Sequence, residues 1–303
     1  MSIRDSISKD LSIMHSWVDR IISRAPYAYK KYRIPKKNGG MRNIAQPARE
    51  TKKLQYWVIS NIFEQLPIHN CVTAYKKGTG IKLNAEAHKN NNFIAKFDFS
   101  SFFTSIKDEN ITALLRQNLQ LTEADLNDVV RICCIHNPQS YKLNLSIGAP
   151  SSPIISNIIL FEFDNKVSDF CIVNNIIYTR YADDLTFSSK KPFSLSNLDK
   201  QLKDILKSID YLNLRFNNKK RTYVSKKHQR RVTGLVLTND GKISLGRERK
   251  RLLRSMIYRY SLGLLSPEEK DSLQGLLAFA KDVESEFVSR MRGKYSSKII
   301  DSI

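Results

Sequence analysis

The stretch Thr179-Arg180-Tyr181-Ala182-Asp183-Asp184-Leu185-Thr186-Phe187 sets two adjacent carboxylates between β-branched, aromatic and apolar residues. Such flanks favour strands and Asp favours turns, so the stretch reads as a β-hairpin with Asp183 and Asp184 as its two-residue turn. Upstream, Phe93-Ile94-Ala95-Lys96-Phe97 is a near-continuous apolar strand that ends on Asp98. Helical spacing fills residues 108–136 and a long apolar helix from Pro150 to Asp169. It returns over residues 196–209, and strand or hairpin segments follow at 214–224 and 231–245. Strand, helix, hairpin, helix, strand is the order of a split βαβ, ferredoxin-like sheet. In that sheet the strand ending at Asp98 can lie beside the hairpin, and three carboxylates converge.

Carboxylates held that close repel, and one takes up a proton unless a cation neutralises them. Hard oxygen ligands select Mg²⁺ or Mn²⁺, and two such ions roughly 3.5–4 Å apart serve in-line displacement at phosphorus. An Asp-Asp pair alone is ordinary turn chemistry. The surroundings favour the metal reading. Among 303 residues, 50 Lys and Arg face 29 Asp and Glu, a net charge of +21 spread along the whole chain. That charge points to a polyanion, nucleic acid before an anionic membrane. The N-terminus, MSIRDSISKDLSIMHSWVDR, is charged throughout, and no window approaches membrane-spanning length, so a cytoplasmic chain without a membrane partner is expected. Cys71, Cys133, Cys134 and Cys171 form no CxxC pair and read as buried and reduced, with neither disulfide nor zinc.

Elsewhere, residues 3–23 read as one amphipathic helix, and residues 29–43 as two strands turning at Asn38-Gly39-Gly40, ringed by Lys36, Lys37 and Arg42. A helix over about 50–66 follows. From Arg247 onward the chain is helical, with Ser266 as N-cap and Pro267 at the first helical position.

Tyr181-Ala182-Asp183-Asp184 resembles the YxDD box of reverse transcriptases. Phe97-Asp98-Phe99-Ser100-Ser101-Phe102-Phe103 resembles the preceding metal motif, an aspartate followed five places on by an aromatic. The resemblance implies Asp98, Asp183 and Asp184 as catalytic metal ligands, Phe99 as a further metal contact, and Phe103 as the steric gate against a ribose 2′-OH. Gly148-Ala149-Pro150-Ser151-Ser152-Pro153 with Asn157 resembles the next motif, whose glycine-rich backbone faces the nucleotide; Ile147 stands where the family usually has Gln. Lys37 and Arg42 are implied as a triphosphate clamp, with a solvated charged turn as the alternative. Lys219 and Lys220 fall in the segment similar to the family's lysine motif, which protonates leaving pyrophosphate; spacing does not choose between them, and Lys220 is taken as the nucleotide contact. Asn84-Ala85-Glu86-Ala87-His88 matches the NAxxH signature, and Val232-Thr233-Gly234 the VTG signature, of retron reverse transcriptases. RNA contacts are thereby implied at Asn84, His88, Arg231, Val232, Thr233 and Gly234. His88 has no His or Cys partner at metal-ligand spacing, which leaves a structural or RNA-contacting role. Arg247, Arg251 and Arg254 read as a duplex-backbone track.

The fold implied is α+β, a right-hand polymerase: N-terminal helix and fingers over residues 1–92, a ferredoxin-like palm over 93–244 with finger elements interleaved, and a helical thumb over 245–303. The activity implied is RNA-directed DNA synthesis from dNTPs with two Mg²⁺ ions, Mn²⁺ as a substitute. A retron-type enzyme further implies a cognate structured noncoding RNA, priming by a guanosine 2′-OH, and msDNA, a branched RNA–DNA hybrid, as product. It also implies an effector protein, host RNase H for template removal, and antiphage defence in the bacterial cytoplasm. Another bacterial reverse transcriptase type (group II intron-like, diversity-generating or abortive-infection) is the first alternative, and NAxxH and VTG argue against it. A catalytically idle RNA-binding scaffold is the second, and the three clustered aspartates argue against that.

Overall fold

The N-terminal segment forms two helices, α1 (Ile3–Leu11) and α2 (His15–Arg24), where one was expected. Ser2 and Asp5 close a capping box at the start of α1, and Ser12, left-handed at φ 51°, ends it. The structure is a computed structural model and describes residues 2–36 and 39–303. Strands β1 (Tyr29–Pro35) and β2 (Met41–Pro47) pair antiparallel from Tyr29↔Pro47 to Pro35↔Met41, with Gly39 and Gly40 at positive φ. Lys37 and Asn38 lie outside the described residues. Helix α3 (Arg49–Asn61) passes into a 3₁₀ turn at Phe63–Gln65. There follow α4 (Ile81–His88), β3 (Phe93–Asp98), the short α5 (Phe102–Ser105), α6 (Asp108–Asn118), α7 (Glu123–Cys133), and strands β4 (Ile135–His136) and β5 (Leu143–Asn144).

The expected long apolar helix is two, α8 (Ser151–Ile158) and α9 (Phe161–Val173). The bend at Leu160, with ψ near 5°, lets α8 pack on α3 while α9 packs on the central sheet. Strands β6 (Ile177–Tyr181) and β7 (Asp184–Ser189) form the hairpin; α10 (Leu195–Lys207) and β8 (Thr222–Ser225) follow. The segment before β8 carries a 3₁₀ turn at Asn218–Lys220 instead of extended strand. Strands β9 (Arg230–Val232), β10 (Leu235–Leu237) and β11 (Ile243–Ser244) make a separate small sheet. Helices α11 (Arg247–Ser261), α12 (Pro267–Val283), α13 (Ser285–Tyr295) and α14 (Ser297–Asp301) complete the chain, with Ser266 capping α12 as expected.

The central sheet runs β6-β7-β3-β8, every neighbour antiparallel, which is the ferredoxin-like order. Its apolar face rests on α9 and α10 through Phe97, Leu185, Phe187, Phe163, Leu198 and Leu202, all nearly or fully buried. Each such side chain stabilises the fold by about 1.5–3 kcal/mol on transfer from water. A second core unites Ala85 of α4 and Ile94 of β3 with β9–β11 and the C-terminal helices through Val232, Leu235, Leu253, Leu273 and Phe287. All four cysteines are free and buried. No helix among the described residues is long and apolar enough to cross a membrane.

Candidate active site

Tyr181 pairs with Asp184 across β6 and β7, so the turn between them is Ala182-Asp183 and Asp184 is the first residue of β7. The expected turn was one residue too late. Ala182, left-handed at φ 56°, takes the place that Asp chemistry suggested for Asp183. That single step matters, because it sets Asp184 directly opposite Asp98 on β3, with Asp183 adjoining at the tip. Phe99 N–H donates to the Asp183 carbonyl at 3.3 Å and ties the two strand ends together.

The three carboxylates carry the expected repulsion. Burial first, then the Asp98 charge, raises the Asp183 pKa. Burial, Asp183 and the hydrogen bond with Asp98 push Asp184 up to about 7. One cation is already at hand: Lys220 Nζ donates to Asp98 Oδ2 at 2.8 Å, while Asn217 N–H holds the Asp98 carbonyl at 2.7 Å. The 3₁₀ turn thus distinguishes Lys220 from Lys219. Among the described residues no group of three or more His, Cys, Asp or Glu is placed to hold a metal ion as the side chains stand. Asp98, Asp183 and Asp184 nonetheless set hard oxygens together at the strand ends, the donor chemistry that a divalent cation takes. The Phe99 ring is buried and stacked on Phe102 and Phe216, so only its carbonyl oxygen could serve as a ligand.

Beneath the hairpin lies a charged cluster that the sequence reading missed. Arg180 and Asp164 are both fully buried and paired, with Nη2 to Oδ2 at 2.6 Å. Tyr178 O–H donates to Asp164 Oδ1 at 2.7 Å, and Arg180 Nη1 donates to Asn157 Oδ1 at 3.2 Å and to the Ala182 carbonyl at 3.1 Å. Arg180 therefore grips the turn that carries Asp183. The available signal was an arginine inside an otherwise uncharged strand and an aspartate on a helix face that is otherwise apolar.

Beside the carboxylates opens a cleft of about 310 Å³, lined by Phe103, Ile147, Gly148, Tyr75 and Lys52 among others. Gly148 sits at φ +120°, and a Cβ there would meet the Ala45 carbonyl oxygen at 3.0 Å. The close approach lets Ala45 N–H donate to the Ile147 carbonyl at 2.8 Å, docking β2 on the cleft wall. Arg42, exposed on β2, is near enough to act on Asp183; Lys37 lies outside the described residues.

The RNA-contact expectations divide. Asn84, His88 and Val232 are fully buried, so their side chains do not present an RNA surface. Burial holds His88 neutral, with its pKa lowered to about 3. Thr179 O–H donates to Asn84 Oδ1, which leaves Thr179 Oγ to accept from His88 Nε2–H at 2.7 Å. Nδ1 then accepts from Ser188 O–H at 2.6 Å, and Ser188 Oγ accepts from Asn91 Nδ2 at 2.7 Å. Thus α4 is bolted across both strands of the hairpin that carries Asp183 and Asp184. Thr233 and Gly234, at φ 45° and 81°, form the two-residue turn between β9 and β10, and Thr233 O–H donates to the Ile81 carbonyl at 3.0 Å. The second signature therefore packs against the helix that carries the first, and of the six expected RNA contacts only Arg231, Gly234 and part of Thr233 face solvent. Arg247, Arg251 and Arg254 recur at helical spacing on an exposed face of α11.

This division gives a paired prediction. His88→Ala orphans Ser188 and Thr179 and should cost about 2–4 kcal/mol of stability, seen in urea unfolding, while the folded variant keeps its RNA affinity. Arg251→Ala should do the reverse, weakening RNA binding and reducing its salt slope by about one without moving the unfolding midpoint. An RNA-binding loss in folded His88→Ala equal to that in Arg251→Ala would refute the division.

The family described as reverse transcriptase (RNA-dependent DNA polymerase) matches residues 34–237. The Retron Ec83 reverse transcriptase of Escherichia coli is 40% identical over 285 residues, 93% of this chain and 91% of that one. The Retron Ec73 reverse transcriptase of the same organism is 32% identical, covering 92% and 90%, and Retron Ec86 reverse transcriptase is 31% identical, covering 95% and 89%. Among solved structures, telomerase from Candida albicans in complex with a fragment of telomeric RNA matches with TM-score 0.51 at 15% identity. That match covers 98% of this chain and 61% of that one, and it is a likeness of fold. Paired aspartates on adjoining strands of a ferredoxin-like sheet gain their meaning from these relatives: the chain belongs to the reverse transcriptases and, within them, to the retron reverse transcriptases, RNA-directed DNA polymerases.

Proposed function

We propose that the chain copies a cognate structured noncoding RNA into DNA, starting from the 2′-OH of a guanosine in that RNA and leaving a branched RNA–DNA hybrid, msDNA. The observation that carries the chemistry is the Asp98↔Asp184 register with Asp183 adjoining and the Lys220 ammonium on Asp98. The names of the relatives support the retron assignment of substrate and product.

Asp98, Asp183 and Asp184, with the Phe99 carbonyl, would hold divalent ions, Mg²⁺ in our reading and Mn²⁺ as a substitute. When bound, these activate the attacking hydroxyl and offset charge on the departing pyrophosphate. Arg42, and Lys37 before it, hold the triphosphate of the incoming dNTP; Arg suits this because it can donate two parallel hydrogen bonds to phosphate oxygens. Gly148 keeps its backbone open to the nucleotide, and the Phe103 ring bars a ribose 2′-OH. Lys220 hands a proton to the leaving pyrophosphate, its ammonium poised beside Asp98. Arg231 and the α11 arginines track RNA or duplex backbone. In domain terms we assign fingers to residues 1–92, palm from 93 and thumb at the C-terminus. The shared core of β9–β11 with α11–α13 favours starting the thumb at Arg230 instead of 245. Host RNase H trims the template, an effector protein reads the product in antiphage defence, and the setting is the bacterial cytoplasm.

Expression with the flanking genomic DNA tests this. Nucleic acid copurifying with wild type should contain single-stranded DNA linked to RNA and released by debranching, absent from Asp183→Ala/Asp184→Ala. RNA without DNA in both preparations, even with Mg²⁺ and dNTPs supplied, would sink the polymerase reading.

A further inference from the structure

Tyr75 is a bulky aromatic held at φ +57°, in the left-handed region that such residues rarely adopt. The chain just ahead of it is fixed from two sides. Thr73 N–H and O–H both donate to the Arg180 carbonyl, at 2.8 and 3.1 Å, and Asn157 Nδ2 donates to the Ala74 carbonyl at 2.9 Å. The cluster that grips the Asp183 turn therefore also imposes the strained conformation, and strain so over-determined concentrates at functional sites. The ring it presents is 51% exposed and lines the nucleotide cleft, with its centroid 6.5 Å from that of Phe103. Asp183, Tyr181 and Arg42 are the charged or titratable groups that act on its hydroxyl.

The rest of the cleft leaves that hydroxyl a distinct place. Phe103, Ile147, Gly148, Ala149, Pro150 and Pro153 offer no side-chain hydrogen-bonding group. Ser146 O–H is already committed to the Ala45 carbonyl at 3.3 Å, and Lys52 and Tyr56 stand on α3. Ser152 is 1% exposed, and its buried hydroxyl does not open to the cleft. Tyr75 is thus a polar side chain that both contacts Phe103 and lies near enough to Asp183 for that carboxylate to act on its hydroxyl. A nucleotide with its α-phosphate at Asp98, Asp183 and Asp184 and its 2′ edge at Phe103 brings its sugar against the wall that the two rings form together.

We propose that Tyr75 selects the incoming nucleotide: its hydroxyl hydrogen-bonds the deoxyribose 3′-OH, and its ring lines the sugar site beside Phe103. The inference rests on templated dNTP addition and not on self-priming. The test therefore uses the full chain extending an annealed DNA primer on a supplied RNA template, with dNTPs or their 2′,3′-dideoxy analogues. One net hydrogen bond corresponds to a preference of roughly 5–10-fold for the 3′-hydroxyl. Tyr75→Phe should erase that preference by raising KM for dNTPs while leaving kcat and dideoxynucleotide use unchanged. An unaltered preference, or an equal rise in KM for both classes, would overturn the proposal. Failure of the wild type to extend at all would instead remove the templated synthesis on which it rests.

Discussion

Asp184→Asn should abolish RNA-templated synthesis and, in the absence of metal, make the protein more stable. Loss of a charged ligand from the open carboxylate set should lower the rate by at least about a thousandfold, beyond what a single neutral donor contributes. The stability gain follows from the same repulsion. Asp184 holds its proton more tightly in the folded chain, up to about 7 against an ordinary 3.8. Stability that is fully present below the ordinary value is therefore lost as pH rises through the folded one. Asn has no proton to lose, so the variant's advantage should be absent near pH 4 and complete by about pH 8, across the window these values define. Asp184 is open to solvent on one side, and with screening the gain is on the order of 1–2 kcal/mol. Buried His88 sets an opposite slope below its unfolded value, but both proteins share it and it cancels in the difference. Urea unfolding in chelator at the two pH values measures the effect. Equal stability at both would refute the repulsion account. If the three carboxylates hold the metal as proposed, added Mg²⁺ should stabilise the wild type more than the variant, which lacks one of them.

The parts of this site that were legible in the sequence are those written in local chemistry. An apolar run ending on Asp98 and a β-branched hairpin gave the central strands, because strand and turn preferences act over a few residues. The turn slipped by one place because Ala182 is a poor left-handed residue and two aspartates beside it are good turn formers; the Arg180 grip on its carbonyl decided the matter from below. Asn84 was expected at an RNA surface and His88 in a structural or RNA-contacting role; both are buried, and His88 takes the structural one. Their partners Thr179 and Ser188 lie about ninety to a hundred positions away, beyond any local pattern. Lys219 and Lys220 differ only by which way a 3₁₀ turn points. The docking of β2 beside Ile147 runs chiefly through main-chain atoms, so Gly148 was its clearest trace in the sequence.

Arg180→Met should be the most damaging change that leaves Asp98, Asp183 and Asp184 intact. The arginine is 0% exposed, and removing it strands the Asp164 carboxylate in the core, a loss of about 3–5 kcal/mol for a broken buried pair. Among the described residues Asp164 would keep only the Tyr178 hydroxyl as a partner. Asp164→Asn/Arg180→Met, which removes the stranded charge, should recover much of the loss at neutral pH. Recovery of stability should not recover activity, because no side chain in the double variant reaches the Ala182 carbonyl or Asn157 as Arg180 does. The turn carrying Asp183 would relax, and displacement of a reacting group by about 1 Å can cost on the order of a hundredfold in rate. The informative comparison is therefore kcat of the double variant, measured on protein shown by its unfolding curve to be fully folded. A hundredfold deficit with KM for dNTP little changed would identify the buried pair as what positions the catalytic turn. Wild-type kcat in a folded double variant would reduce Arg180 and Asp164 to a purely structural role.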